Sequence, residues 1–323
     1  SLFQQAVNRL NQLSNQNHDV LSTLIVTNEE HRFLALDQLR ELSQVNAQLL
    51  LEPIGRNTAP ALTLAALQAC QDGQDPILVV TPADQTVGDG KAFTAAVHQA
   101  VRVAAGGDIA ILGVTPDRPE TGYGYIRVGG PADSLAHGAY SVDRFVEKPD
   151  QATAEGYLKD GGYFWNAGMF VLRASVWLKA LAEFRSDILE ATKTAWSKRS
   201  TDAQFVRPGK TEFVVIPQES VDYAAMEQCP GSKFPIMMVP LDAGWNDLGA
   251  WDAVWNVMPK DQNGNATHGD VLTTGSRNTC VHASSRLVTL VGVSDLIVVE
   301  TPDAVMVAKQ ARIDNHGEFA HHG

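Results

Sequence analysis

Apolar positions along the first third of the chain keep two alternating rhythms. Leu2, Val7, Leu10 and Leu13 fall at helical spacing, Val20 to Thr27 is a β-rich run, and Phe33, Leu36, Leu39 and Leu42 return to the spacing of an amphipathic helix. Strand-like Ala47–Leu51 precedes an Ala/Leu-rich helix from Ala59 to about Gln71. The short apolar run Pro76–Thr81, a helix from about Lys91 to Ala105 and the apolar strand Ile109–Val114 follow. Strands alternating with helices of this length predict right-handed βαβ units. The fold class is therefore α/β, with a Rossmann-like mixed, mostly parallel sheet covered on both faces.

The rhythm changes from Tyr123 onward. Tyr125–Val128 and Ser141–Val146 read as antiparallel strands, 174–198 as one or two helices, and Phe234–Leu241 as a further strand. After Pro259 a polar, turn-rich stretch, Lys260 to Gly269, leads into closely spaced β patterns at Thr279–Ala283, Leu287–Val291, Leu296–Val299 and Ala304–Val307. The expected division is a Rossmann-like domain over 1–259, a small β-rich domain over 260–313 and a tail over 314–323. No repeat of fixed long period is visible. The chain opens inside a helical pattern, whereas a doubly wound sheet normally starts with a strand whose following loop holds phosphates.

Composition narrows the function classes. The 323 residues are 44% hydrophobic and 19% charged, which excludes an intrinsically disordered chain. No run approaches the roughly 18 apolar residues of a membrane span, and no signal-peptide pattern opens the chain. The expected location is cytoplasmic, with no membrane partner. Lysine plus arginine is 25 and aspartate plus glutamate 37, a net charge of −12. That balance argues against a nucleic-acid partner, which needs a basic footprint. A phosphorylated substrate then requires local cations. The cysteines, Cys70, Cys229 and Cys280, are scattered and odd in number, so no disulfide framework or CxxC metal site is indicated.

The densest chemical signal is Glu52-Pro53-Ile54-Gly55-Arg56-Asn57-Thr58-Ala59-Pro60, between a strand and a helix. Asn57 or Thr58 can cap that helix, and Pro60 suits its first turn. A helix start of this kind attracts anions, and Arg56 adds a forked cation. An ordinary capped connection would look the same. Asp84, in Thr81-Pro82-Ala83-Asp84, lies just past a strand's carboxyl end, where open α/β sheets bind ligands. A carboxylate there can hold Mg²⁺, and a plain turn aspartate is the alternative. Gly122-Tyr123-Gly124-Tyr125 allows close backbone approach to a ligand. Glu147 and Lys148 end a strand, the one able to accept from sugar hydroxyls and the other to meet a phosphate. Asn166, beside Gly168 at an expected strand start, both donates and accepts. Asp247, in Trp245-Asn246-Asp247-Leu248-Gly249, is a second carboxylate between a strand and a helix. There is no GxSxG, HExxH, GxxxxGK[ST] or strand-following GxGxxG, so the matching hydrolase, zinc, P-loop and dinucleotide chemistries find no support.

In this order the motifs are similar to those of the sugar-phosphate nucleotidylyltransferases. They most resemble the bacterial mannose-1-phosphate guanylyltransferases, found in bifunctional enzymes with a mannose-6-phosphate isomerase domain. The resemblance runs from Ser1 to about Ile313 through Glu52–Pro60, Pro82–Asp84, Gly122–Tyr125, Glu147–Pro149, Asn166–Phe170, Asp222–Tyr223, Trp245–Gly249, Gly269–Val271 and Val298–Thr301. It implies transfer of GMP from GTP to mannose 1-phosphate, giving GDP-mannose and pyrophosphate. It also implies that Glu52, Gly55, Arg56, Asn57 and Thr58 bind the nucleotide, and that Tyr123, Gly124, Glu147 and Asn166 line the sugar pocket. Lys148 would meet a phosphate, Asp84 and Asp247 would hold a catalytic Mg²⁺, and a homodimer is the implied assembly. The resembled family's GGxGxRLxP loop and first strand are expected ahead of Ser1. Gln85 stands where a histidine is usual and Ala83 where a serine is usual. Another sugar or base, or a non-catalytic nucleotide-sugar-binding regulator, would fit the same motifs.

Overall fold

The computed structural model describes all residues except 17, 18, 44, 132–137, 249, 250 and 310–323, and all described side chains except those of 72, 252, 253 and 256. Gly249, residues 310–313 of the expected β-rich domain and the expected tail 314–323 thus lie outside the described residues. The chain divides into two compact units, Ser1–Trp245 and Asn246–Gly323.

In the first unit the helices are α1 (Leu2–Asn11), α2 (Arg32–Arg40), α3 (Thr58–Ala69), α4 (Gly90–Ala105), α5 (Gln151–Asp160), α6 (Ala174–Phe184), α7 (Ser186–Ser197), α8 (Lys210–Phe213) and α9 (Val221–Ala224). Strand β1 (Thr23–Asn28) pairs in parallel with β2 (Ala47–Glu52). A larger sheet contains β3 (Ile77–Val80), β5 (Ile109–Val114), β6 (Tyr125–Pro131), β7 (Tyr140–Val146), β8 (Tyr163–Arg173) and β11 (Ile236–Pro240), while β4 (Thr86–Val87) stands apart from it. The short strands β9 (Ser200–Asp202) and β10 (Phe205–Arg207) extend the first sheet, β10 lying parallel to β2. The order of the larger sheet is β3-β8-β5-β11-β7-β6. Here β8 runs against both β3 and β5, and β7 against β11 and β6, so the other four strands share one direction. The mixed α/β sheet expected from the sequence is present.

Strand alternation assigns alternate residues to two cores, as a pleated sheet covered on both faces requires. Ile109, Ile111, Phe170 and Leu172 face helices α3, α6 and α7, whereas Ala110, Leu112, Met169 and Val171 face α4. Trp177 of α6 is fully buried, and its indole N–H donates to Thr63 Oγ1 of α3 at 3.0 Å. Truncating it empties a large volume and removes the donor to the Thr63 hydroxyl, which keeps its bond to the Ala59 carbonyl at 2.7 Å. Trp177→Ala is expected to cost about 3–5 kcal/mol, read as a lowered denaturant midpoint.

Register explains why chemistry gathers at one end. Val80 at the end of β3 lies opposite Phe170, while Gly113 and Val114 of β5 lie opposite Asn166 and Trp165. Tyr125, at the start of β6, pairs with both Trp165 and Val146. The carboxyl ends of β5 and β7 therefore meet the first half of β8 and the start of β6, and that of β3 lies a few residues farther along β8. Asn166 is not at a strand start, as the sequence had indicated, but the fourth residue of an eleven-residue strand. Asn and Gly disfavour strands, and here pairing on both sides overrides that local preference.

The second unit begins around the two-residue strand β12 (Trp245–Asn246), which the division cuts, and continues with α10 (Trp251–Val257). Strands β13 (Ala266–His268), β15 (Cys280–Ala283) and β17 (Leu296–Glu300) stack in parallel, as do β14 (Val271–Thr274) and β16 (Val288–Val291). An antiparallel strand, β18 (Val305–Lys309), pairs with β17. The chain thus coils, with Ala266 over Cys280 over Ile297. Steps of 14 and 17 residues separate these partners, and the unequal steps conceal the repeat from a fixed-period search. Gly269 (φ +87°) turns the corner between β13 and β14, where a Cβ would stand 1.8 Å from the Ala283 carbonyl oxygen. Glu300 accepts from Ser285 N and Oγ and from Arg286 N, which hold its carboxyl down at about 2. Trp251, Trp255 and Met258 pack on Cys280, Ile297 and Val299, so α10 belongs with the coil although it precedes residue 260. Among the described residues no helix is long and apolar enough to cross a membrane.

Candidate active site

Strand β2 delivers Glu52 at its carboxyl end, opposite Asn28. Glu52 is only 8% exposed, and its Oε1 has no hydrogen-bond partner. Burial pushes its carboxyl up to about 7. The loop beyond it is held by its own side chains and by contacts with residues 214–221. Asn57 caps α3, its Oδ1 accepting from Thr58 N at 2.8 Å, with φ 66° and ψ −172°. That region is essentially reserved for glycine, and a side chain there stores strain of about 1–3 kcal/mol. Gly55 is exposed, with open space where a Cβ would stand. Arg56 is turned inward, its guanidinium donating to the Val214 carbonyl, so it serves here as a staple. Thr58 Oγ1 accepts from Val221 N at 2.9 Å, and Ala59 N donates to the Glu219 carbonyl at 3.0 Å.

A second group forms where β6, β7 and β8 meet. The Gly124 carbonyl accepts from Asn166 N at 2.8 Å, and the Tyr123 carbonyl accepts from Lys148 N at 3.2 Å. Tyr123 lies edge-on to Trp165 and Trp245, with ring centroids 5.2 and 5.4 Å away. A Cβ at position 124 would stand 2.5 Å from Glu147 Oε2, so only glycine leaves that carboxylate its place. Lys148 (φ 47°) turns the chain, with Nζ 3.5 Å from Glu147 Oε1 and its side chain 60% exposed. Burial, then the nearby charge of Asp222, pushes Glu147 up to about 7 against the pull of Lys148. Glu147 N donates to Glu227 Oε1 at 2.9 Å. The Asn166 amide donates to Asp222 Oδ1 at 2.9 Å and accepts from Gly168 N at 2.8 Å. Tyr123, Gly124, Glu147, Lys148 and Asn166 are thus one constellation.

Asp84 lies in the exposed loop after β3, which abuts the same strand. Gln85 is buried; its amide donates to the Ala167 carbonyl at 3.0 Å and accepts from Trp245 Nε1 at 2.9 Å. Arg9 donates to the Gln85 carbonyl. The residue that stood out as a departure is the anchor of the Asp84 loop. Asp247 belongs to the second unit and sits within a turn closed by Leu248 N on Asn246 Oδ1 at 2.8 Å, with Leu248 at φ 52°. Gln85 and Glu227 drew no functional reading from the sequence, because their contacts lie far away along the chain. Asp222 was visible only within the ordered series of motifs.

The sheet order and the coiled appendix define the class. Residues 2–264 match the family model for nucleotidyl transferases, and residues 269–315 match the MannoseP isomerase/GMP-like beta-helix domain. The chain belongs to the nucleotidyl transferase family. It is 47% identical over 290 residues to the xanthan biosynthesis protein XanB of Xanthomonas campestris pv. campestris, covering 90% of this chain and 60% of that protein. It is 43% identical over 300 residues to the mannose-1-phosphate guanylyltransferase of Escherichia coli K12, covering 91% and 61%. The chain spans about 60% of the length of these curated relatives. Among solved structures it is similar to the mannose-1-phosphate geranyltransferase of Thermus thermophilus (TM-score 0.80, 29% identity, 96% of this chain and 85% of that one). It is also similar to the mannose-6-phosphate isomerase of Helicobacter pylori (TM-score 0.67, 33% identity, 76% and 90%).

Proposed function

We propose that this chain transfers GMP from GTP to α-D-mannose 1-phosphate, forming GDP-mannose and pyrophosphate. The observation that supports the reading is a pair of polar groups tied through one segment, 214–227. One is the strained loop after Glu52, and the other is the pocket of Gly124, Glu147, Lys148 and Asn166. The names of the relatives point the same way. A buried carboxylate oxygen without a donor suits the N1–H and 2-amino group of guanine, a donor pair that uracil and thymine do not present. Glu147 and Asn166 supply the acceptors and donors that sugar hydroxyls need. Lys148 brings a mobile ammonium to a phosphate.

In the reaction a phosphate oxygen of mannose 1-phosphate attacks the α-phosphorus of GTP in line. The new P–O bond forms as the bond to pyrophosphate breaks, and pyrophosphate carries away the electron pair. The protein's work is to position two anions and offset their charge. Asp84 is exposed and has no hydrogen-bond partner among the described residues, so its hard oxygens are available to Mg²⁺; Asp247 offers the same donor type. Each carboxylate is proposed as a ligand for the ion, which when bound would neutralise phosphate charge. The cytoplasm, where nucleotides and sugar phosphates are held, is the proposed location. A homodimer through the coiled unit is the proposed assembly, supported by exposed Val305, Met306 and Val307 on β18.

Pyrophosphate release by the intact protein, across nucleoside triphosphates and sugar 1-phosphates, tests the reading. GTP with mannose 1-phosphate should exceed every other pair by about tenfold or more, the discrimination expected from one oriented hydrogen-bonded contact. Equal turnover with UTP or glucose 1-phosphate, or no release from any pair, would overturn it.

A further inference from the structure

Asn166 carries the sugar pocket's one neutral amide, and a planar amide can face a ligand either way round. Two contacts decide which. The Gly168 N–H donates to Oδ1, and Asp222 Oδ1 takes one N–H of Nδ2. That leaves one N–H and one lone pair for a ligand, in a fixed arrangement.

Asp222 is itself placed by more than its own helix. It occupies the first turn of α9, whose cap Ser220 accepts from Tyr223 N. Val221 N, immediately before it, donates to Thr58 Oγ1, and Glu219 N donates to the Arg56 carbonyl at 3.4 Å. Farther along, Glu227 accepts from Glu147 N. The stretch 219–227 therefore grips the loop after Glu52 on one side and Glu147 and Asn166 on the other. We propose that Asp222 is a positioning residue that orients the Asn166 amide for the sugar, and that the segment carrying it fixes the sugar pocket relative to the nucleotide loop. This inference rests on the functional reading above. Burial and the neighbouring Glu227 favour the neutral acid at Asp222, while the Asn166 bond and Lys148 oppose it. An acceptor oxygen, rather than a full charge, is what Asn166 needs.

The test separates the two substrates. Asp222→Leu keeps the branched heavy-atom outline and removes the acceptor. It should raise KM for mannose 1-phosphate by about ten- to a hundredfold, the loss of one oriented hydrogen bond, and leave KM for GTP within about twofold. Asp222→Asn, which retains an oxygen toward Asn166, should return KM for the sugar phosphate to within about threefold of wild type. A general loosening of the fold would move both constants, and the asparagine variant would then correct neither selectively. If Asp222→Leu does not fold, Asp222→Ser, too short to reach Asn166, carries the same expectation. Constants that move together, a sugar KM that stays put, or no rescue by asparagine would overturn the inference. Wild-type protein that forms no GDP-mannose would overturn the functional reading instead. Calorimetric binding of mannose 1-phosphate to the same variants would then decide Asp222 separately, by the same loss in affinity.

Discussion

Replacing Asp84 or Asp247 with alanine is expected to lower pyrophosphate release by about a hundred- to a thousandfold, the scale on which removing one charge-stabilising group acts. Thermal unfolding of the Asp84 variant should shift little, within about 0.5 kcal/mol for an exposed substitution. The fold predicts the second half of this result for Asp84. Gln85, not Asp84, pins the loop, through Ala167 and Trp245, and Asp84 is exposed. Loss of turnover without loss of stability therefore separates a ligand-holding role from a structural one. Each variant should also need more Mg²⁺ to reach its residual rate. If both variants release pyrophosphate at near wild-type rates, the two carboxylates do not hold the ion.

Much of the fold was legible because apolar runs and alternation are local. Ile109–Val114 coincides at both ends with β5, being a continuous apolar run buried on both faces. The helical stretch 174–198 resolves into α6 and α7 with Arg185 between them. Strand β10 escaped notice because three residues carry no periodicity; it exists through its pairing with β2. The appendix was legible as strands but not as a coil, since side-chain alternation does not reveal whether neighbours run parallel. In the site, the loop after Glu52 announced itself by composition, with Asn57 as the cap and Pro60 in the first turn. Arg56 illustrates the limit. A cation at a helix start suggests a phosphate, yet here its guanidinium is engaged with a carbonyl more than 150 residues away in sequence. Charge can be read from sequence, but the direction in which a side chain points depends on packing.

Glu52 should show a trade between stability and recognition. Its carboxyl sits at about 7 in the folded chain against an ordinary 4.5, because burial disfavours the ionised form. Below about pH 4.5 both folded and unfolded states carry the proton, so Glu52 imposes no penalty. As pH rises toward 7 the unfolded chain ionises first, and the folded state binds the extra proton. Stability therefore falls through that window and levels off above it. The full penalty is about 3 kcal/mol, on a residue only 8% exposed. Glu52→Gln, neutral and of the same shape, should thus be more stable than wild type at about pH 8, by up to that amount, and equal to it at about pH 4. Glu147, raised to about 7 by burial and Asp222, titrates in the same window. The variant should flatten the pH dependence without abolishing it. Catalysis should move the other way. If the Glu52 oxygen accepts from guanine, the glutamine, with one acceptor in place of two, should raise KM for GTP about tenfold or more. It should also narrow the preference for GTP over ITP, which lacks the 2-amino group. A variant gaining stability at high pH while keeping both its GTP KM and its discrimination would show that the base is recognised elsewhere. The buried Glu52 Oε1, which lacks a donor in the folded chain, is the atom to which the proposed guanine would donate.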